Sequence, residues 1–395
     1  MTGKKKRNKL RVAFRKNRQA RSRNKDWSGQ LGAEPGDEEE ALPTEERISG
    51  KGELTRHRTI VGVETGDDGE LLREVDVSKC ESGRVLAAIG LNAIVESADG
   101  IEYECTVRRV LRTMSREARN VVVAGDRVLF LPAPGEQGVI ERVQPRRGTL
   151  SRVSGGREHV IVSNVDQVLI VASAAEPPLK PSLIDRFLIS AQKGDVHAVV
   201  CINKCDLVEP ARLQPMAGLY AQLGYDVVST SALQANGLSR LKHLLRNKET
   251  VLAGQSGVGK SSLINALEPQ LGLKTSAVSQ DSGKGRHTTR SARLMQLPSG
   301  GWVVDTPGIR QFELWDVQPE EVEGYFVEFR PFVPWCKFPD CTHTHETKCA
   351  VKSAVDTGLI SEARYQSYRK IISGDAPDLA DEEGAIPRRR GAHRT

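Results

Sequence analysis

The sequence predicts a multidomain chain: an N-terminal all-β barrel, a central α/β domain, and a small C-terminal helical domain built round a metal. Three observations predict it. Short β-branched or alternating segments, punctuated by "ADG", "AGD" and "PAPGEQG", fill residues 83–150. From about residue 160, continuous apolar runs alternate with amphipathic ones, the pattern of parallel strands covered by helices on both faces. Three cysteines and a histidine then crowd into "CKFPDCTHTHETKC".

The chain has 395 residues, room for two or three domains, and 38% hydrophobic residues, enough for real cores. The net charge of +6 is unevenly spread: twelve Lys or Arg without an acid in residues 1–25, then seven Asp or Glu in 34–46. Blocks of like charge bury too little apolar surface to offset chain entropy, so residues 1–46 are expected to be disordered. The basic stretch reads equally as a solubilising tail or as an arm that seeks nucleic-acid phosphates. Residues 375–395, with "PRRRGAHRT", are a weaker case, and 47–82 form an extension that is either a hairpin around "ETGDDGE" or a spacer. No apolar run approaches membrane-spanning length, and no h-region follows the first basic residues. Seven cysteines without a disulfide-like framework suit a reducing cytoplasm, with metal binding as the better use of a cluster.

In the barrel region, Arg84–Ile89, Ile101–Val110, Asp126–Leu131 and Val139–Val143 read as strands. An oligonucleotide-binding barrel and an SH3-like one both fit. Tyr103 with Arg108, Arg109 and Arg112 reads either as a stacking and phosphate surface or as a solvated arginine face.

In residues 151–320, "VDQVLIVASA" reads as a buried strand, "LIDRFLISAQKG" as a helix and "HAVVCINKCDL" as a second strand with a loop. "ARLQPMAGLYAQLG" is a helix before "DVVSTSAL"; Thr250–Ala253 and Trp302–Val304 are further strands. Gly254-Gln255-Ser256-Gly257-Val258-Gly259-Lys260-Ser261 fits GxxxxGK[ST] in full, after a strand and before the helix "SSLINAL". Glycines let successive backbone N–H groups converge on one anion, and the helix start adds its positive dipole end. Lys260 would reach the outer phosphates, Ser261 would ligate Mg²⁺, and Ser262 completes the candidate nucleotide-binding set.

Asn203-Lys204-Cys205-Asp206 closes a buried strand, where ligands of open α/β sheets bind. The Asp206 carboxylate can accept from guanine N1–H and N2–H₂, an edge adenine lacks, and the Lys204 stem can lie along the base. The backbone N–H groups of Thr230-Ser231-Ala232 would donate to guanine O6. Asp305-Thr306-Pro307-Gly308 is DxxG: the carboxylate would hold the Mg²⁺ shell and the Gly308 N–H would meet the γ-phosphate. "GKGRHTTR", residues 283–290, suits a mobile switch whose Thr288 or Thr289 hydroxyl reaches Mg²⁺. Together these motifs read as a GTP- and GDP-binding GTPase. The base-reading half precedes the phosphate half, so the domain is circularly permuted, with "LSRLKHLLRNKE" as the helix that joins the old ends.

Ile309 stands directly after DxxG, where many GTPases carry a water-orienting Gln. His287 is the candidate that positions the water in its place. In residues 321–374, Cys336, Cys341, His343 and Cys349 give C-x4-C-x-H-x5-C, the ligand set of one closed structural Zn²⁺ site, with His345 as the competing imidazole. Tyr365, Tyr368 and Ile372 lie on one helix face that packs.

The order NKCD, TSAL, GQSGVGKS, RHTTR, DTPG and then C-x4-C-x-H-x5-C, after a small barrel, resembles the RsgA/YjeQ family of bacterial small-ribosomal-subunit biogenesis GTPases. The likeness covers about residues 83–372, and not the acidic stretch or Glu53–Glu81. It implies an OB-fold barrel, a circularly permuted P-loop GTPase and a zinc-binding helical domain. It also implies the small (30S) ribosomal subunit and its 16S rRNA as partners of a cytoplasmic monomer. The activity implied is late subunit maturation, with hydrolysis stimulated by the subunit and driving release, and it points to His287 as the catalytic residue. An RNA-binding module that senses guanine nucleotides without much hydrolysis is the alternative; Asp206 disfavours an ATPase or kinase.

Overall fold

The computed structural model describes residues 9–13, 57–61, 63–65, 71–73, 75–108, 111, 121–153, 158–273, 292–305 and 319–374. The chain divides into two compact units, Met1–Arg146 and Arg147–Thr395.

In the first unit, β1 (Lys9–Ala13) pairs antiparallel with β2 (His57–Val61). This corrects the expectation that all of residues 1–46 lack structure. The ladder supplies backbone partners from a segment far along the chain, which local composition cannot reveal. Strands β3 (Val63–Thr65) and β4 (Leu71–Arg73) make the hairpin around "ETGDDGE".

Five strands follow: β5 (Glu81–Ile89), β6 (Asn92–Ser97), β7 (Glu102–Val107), β8 (Arg127–Ala133) and β9 (Gln137–Val143). They run in the order β5-β6-β7-β9-β8, with β7 and β9 parallel, and β8 returns to β5. Closure removes the sheet edges, and the path is that of an OB-like barrel. Val85, Val95, Cys105, Val128, Phe130 and Ile140 fill it. Gly138 is required where it stands, since a Cβ there would lie 2.8 Å from Cys105 Sγ. The fully buried Asp126 accepts from Arg146 Nε and Nη2, each at 2.8 Å, and from Val123 N–H at 2.8 Å. Tyr103 packs on Phe130, ring centroids 5.0 Å apart, and Arg108 pairs with Glu141. Those two side chains therefore serve the barrel; Arg109 and Arg112 lie outside the described residues.

The second unit opens with a hairpin of β10 (Leu150–Val153) and β11 (Glu158–Val162). Its main sheet holds β12 (Gln167–Ser173), β13 (His197–Asn203), β14 (Asp226–Ser229), β15 (Glu249–Ala253), β16 (Arg293–Gln296) and β17 (Trp302–Asp305). The order is β14-β13-β12-β15-β17-β16, all parallel except β16. The chain steps outward from β12 to β14, then restarts on the other side of β12 with β15. That reversal between β12 and β15 is the switch point at which doubly wound sheets bind ligands. Helices α1 (Pro181–Lys193), α2 (Pro210–Gln222), α3 (Leu238–Leu245) and α4 (Lys260–Leu267) complete the α/β part. Helix α3 is the join read from "LSRLKHLLRNKE"; it ends at Leu245, and Asn247 turns the chain at φ 55°.

The helical module of the same unit contains α5 (Pro319–Tyr325), α6 (Ala350–Asp356) and α7 (Glu362–Ile372). Phe326, Phe329, Val351, Tyr368 and Ile371 form its core, together with Ile189 from α1.

Candidate nucleotide site and metal centre

Strand β15 delivers the chain to Gly254 at the switch point, and Gly259 caps α4. Gly254, Gly257 and Gly259 have φ of 137°, 82° and 92°, which L side chains rarely adopt. A Cβ on Gly254 would stand 2.1 Å from the Val171 carbonyl. The first N–H groups of α4, at Lys260, Ser261 and Ser262, face out of the helix start, where no earlier turn can accept from them. Lys260 Nζ donates to the Gly254 and Gln255 carbonyls at 2.7 and 2.8 Å, so its ammonium sits over the loop.

Strand β13 ends at Asn203, which is 1% exposed. Asn203 Nδ2 donates to the Val258 carbonyl at 2.9 Å, and Asn203 Oδ1 accepts from Thr230 Oγ1 at 3.1 Å. A Cβ on Gly259 would lie 2.6 Å from that Nδ2, so the cradle and the base-reading loop meet at a position only glycine permits. Lys204 adopts the left-handed region at φ 60°, and its Nζ donates to the Glu176 carbonyl. Cys205 N–H donates to the Thr230 carbonyl at 3.0 Å, which draws the Ser231-Ala232 turn against the Asp206 loop. Ser231 is buried, its N–H bonded to the Asn236 carbonyl and its Oγ accepting from Gln234 N–H.

The structure therefore brings Asn203 and Lys204 against Val258 and Gly259 of the cradle, and ties the Ser231-Ala232 turn to the Asp206 loop. It corrects the expectation that Thr230 and Ser231 donate to guanine O6, since their N–H groups already bond to the Ile202 and Asn236 carbonyls. Strand β17 ends at Asp305, on the far side of β15 from β12. His287, Thr288, Thr289 and Gly308, with the Asp305 side chain, lie outside the described residues. Sequence reasoning did not find the Asn203–Val258 and Thr230–Asn203 bonds, because each joins loops from separate strands.

In the helical module the ligand atoms of Cys336, Cys341, His343 and Cys349 lie within 4.8 Å of one another. Cys336 Sγ is 3.9 Å from Cys349 Sγ and 3.5 Å from His343 Nδ1. Bonds of about 2.3 Å to a tetrahedral ion place sulfurs about 3.8 Å apart, so this donor set fits zinc. His343 Nε2 meets Glu323 Oε2 at 3.0 Å, which orients the ring and leaves Nδ1 for the centre. His345 is 83% exposed and its Nδ1 meets Thr344 Oγ1, so it stands apart from the cluster. Burial pushes the Cys341 thiol up to about 12 and raises Cys349 as well, so a divalent cation is the natural means of holding thiolates there. Tyr365 Oη and Tyr368 Oη donate to the His343 and Thr342 carbonyls at 2.7 and 2.9 Å, so the predicted packing face of α7 also fixes the ligand loop. Glu323 and these tyrosine contacts left no spacing signal in the sequence.

A P-loop strand at the switch point, with the base-reading strand earlier in the chain, defines a circularly permuted GTPase. The RsgA GTPase family model matches residues 143–315. A small ribosomal subunit biogenesis GTPase RsgA of Shewanella oneidensis is 40% identical over 313 residues, covering 76% of this chain and 86% of that protein. The protein of that name from Chlorobaculum tepidum is 40% identical over 303 residues, covering 74% and 97%. The crystal structure of YjeQ from Thermotoga maritima aligns with TM-score 0.62 at 36% identity over 75% of this chain and 98% of its own. That of YloQ, described as a circularly permuted GTPase, gives 0.58 at 30% identity over 75% and 94%. The chain belongs to the RsgA GTPase family.

Proposed function

We propose that this GTPase binds the small ribosomal subunit and assists its late maturation, that the subunit stimulates GTP hydrolysis, and that hydrolysis drives release. The junction of Asn203 with Val258 and Gly259 carries the nucleotide part, because it sets a guanine-reading loop against a phosphate cradle. The relatives' shared name supports the partner. Family membership brings GTP, GDP and Mg²⁺; 16S rRNA is the surface on the subunit to which an OB-like barrel is suited.

Asp206 reads guanine N1–H and N2–H₂, the Lys204 stem covers the base, and the Ala232 N–H is the donor for O6, because the Thr230 and Ser231 N–H groups are taken by the Ile202 and Asn236 carbonyls. The Gly254–Ser262 backbone and Lys260 bind the phosphates. Ser261, with Asp305 and Thr288 or Thr289, would hold Mg²⁺, which neutralises charge on the phosphate oxygens. His287 orients the attacking water, because Ile309 cannot. Cys336, Cys341, His343 and Cys349 hold one structural Zn²⁺. The protein works as a monomer in the cytoplasm; among the described residues no helix is long and apolar enough to cross a membrane.

Co-sedimentation with isolated small and large subunits tests the partner. Retention on the small subunit with a non-hydrolysable GTP analogue, and release with GDP, is expected. Equal retention on both subunits, or none, would refute it.

A further inference from the structure

The phosphate cradle and the helical module both lean on α1. Leu183 and Ile184 line a cavity with Gly254, Gln255 and Val258 of the cradle. The next residue, Asp185, is fully buried and accepts from Tyr220 Oη of α2 at 2.8 Å and from Arg364 Nη1 of α7 at 2.5 Å. Arg364 is 2% exposed; its Nε and Nη2 donate to Glu328 at 2.6 and 3.2 Å, and its guanidinium lies 4.2 Å over the Phe326 ring. Burial opposes the Arg364 charge, but the Asp185 and Glu328 carboxylates more than offset it and hold its affinity for the proton above the ordinary value. Loss of Arg364 leaves the fully buried Asp185 without its cation, and loss of Asp185 leaves Arg364 with Glu328 alone, so each variant breaks the link between α1 and α7.

We infer that Arg364 is a positioning residue for the phosphate cradle, coupling nucleotide occupancy to the docking of the helical module through Asp185 on α1. The cradle supplies a difference between states. The Gly254 and Gln255 carbonyls now hold the Lys260 ammonium. Phosphates compete for that ammonium, and the two residues that then lose their donor line the same cavity as Leu183 and Ile184. An adjustment of α1 there is felt one residue on, at Asp185. Coupling of this kind is reciprocal: nucleotide tightens the docking of α7, and a broken joint weakens nucleotide binding. Arg364 itself is remote from guanine and phosphate contacts, and the inference needs no ribosomal partner.

Hydrogen exchange of the full chain, with and without saturating GDP, tests it. In the wild type the α7 amides, residues 362–372, should exchange several-fold more slowly with GDP. Arg364→Met should abolish that response and raise the GDP Kd about fivefold or more. Asp185→Asn should do the same, and the double variant should be no worse than either single one, since both cut one joint. Arg364→Lys, which keeps the charge but loses the two-pronged contact with Glu328, should fall between, and it replaces Arg364→Met if metal content shows that the methionine variant fails to fold. Wild-type α7 exchange that ignores GDP would overturn the inference whatever the variants do. So would additive losses in the double variant.

Discussion

The Asn203 carboxamide donates to the Val258 carbonyl at 2.9 Å, joining two loops that are 55 residues apart in sequence. The same side chain accepts from Thr230 Oγ1, so one buried residue holds both base-reading loops and the cradle. Asn203→Ala orphans the buried Val258 carbonyl and leaves the Thr230 hydroxyl with Cys201 Sγ alone, at 3.3 Å, at a cost of about 1–3 kcal/mol. GTP and GDP should both bind about tenfold more weakly, measured by fluorescent-nucleotide titration, with the GTP:GDP ratio unchanged. A selective loss of GTP alone would point to the phosphate end instead.

Base choice is separable from that scaffold. Asp206→Asn should weaken GTP and favour xanthosine triphosphate, whose C2 carbonyl accepts from the new amide. Competition binding with the two triphosphates checks this, and unchanged GTP affinity would remove Asp206 from the reading role.

Cys341→Ser should lose about one equivalent of zinc and unfold the helical module, because metal affinity there is folding energy. His343→Ala should do the same, whereas His345→Ala should keep its metal, as its exposed ring is bonded to Thr344. Elemental analysis of the three variants reads all the outcomes.

Glu346 supports the ligand loop by accepting from Thr342 N–H at 2.7 Å, Thr342 Oγ1 at 2.6 Å and Thr344 N–H at 3.0 Å. Burial works against the carboxylate, but these donors outweigh it and hold the group at about 2, below its ordinary value. A depressed carboxyl stabilises the fold above its unfolded value and loses that contribution as pH falls toward the folded one. Glu346→Gln should therefore lower the melting temperature of the module at pH 7, by about 1–2 kcal/mol of stability, and should flatten the decline between pH 5 and pH 2. An identical pH profile in the variant would show that these bonds contribute nothing.

Much of the nucleotide site was legible because phosphate and guanine chemistry demand fixed residue types in short windows, as in Gly254–Ser261 and Asn203–Asp206. The long apolar strands β12 and β13 and the helices α1 and α2 were legible by period. Strands β6, β10, β11 and β16 were not: they are short, with mixed polarity, and their pairing depends on partners the local pattern does not name. The joint on α1 was hidden for a related reason. Asp185 and Arg364 sit in amphipathic segments where a charged residue ordinarily marks the solvent face, yet both are buried against each other. Strand β1, inside a basic stretch, is the same lesson at the backbone level.

The central proposal is that the small subunit stimulates hydrolysis and that His287 orients the attacking water. Single-turnover GTP hydrolysis, with and without purified small subunits, tests it most directly when wild type and His287→Ala are run together. The wild type should be slow alone and accelerated by small but not large subunits. His287→Ala should bind GTP and subunits normally yet lose most of the acceleration, accumulating on subunits as a GTP complex. A wild-type rate indifferent to small subunits would contradict the account, and full acceleration in the variant would remove His287 from it.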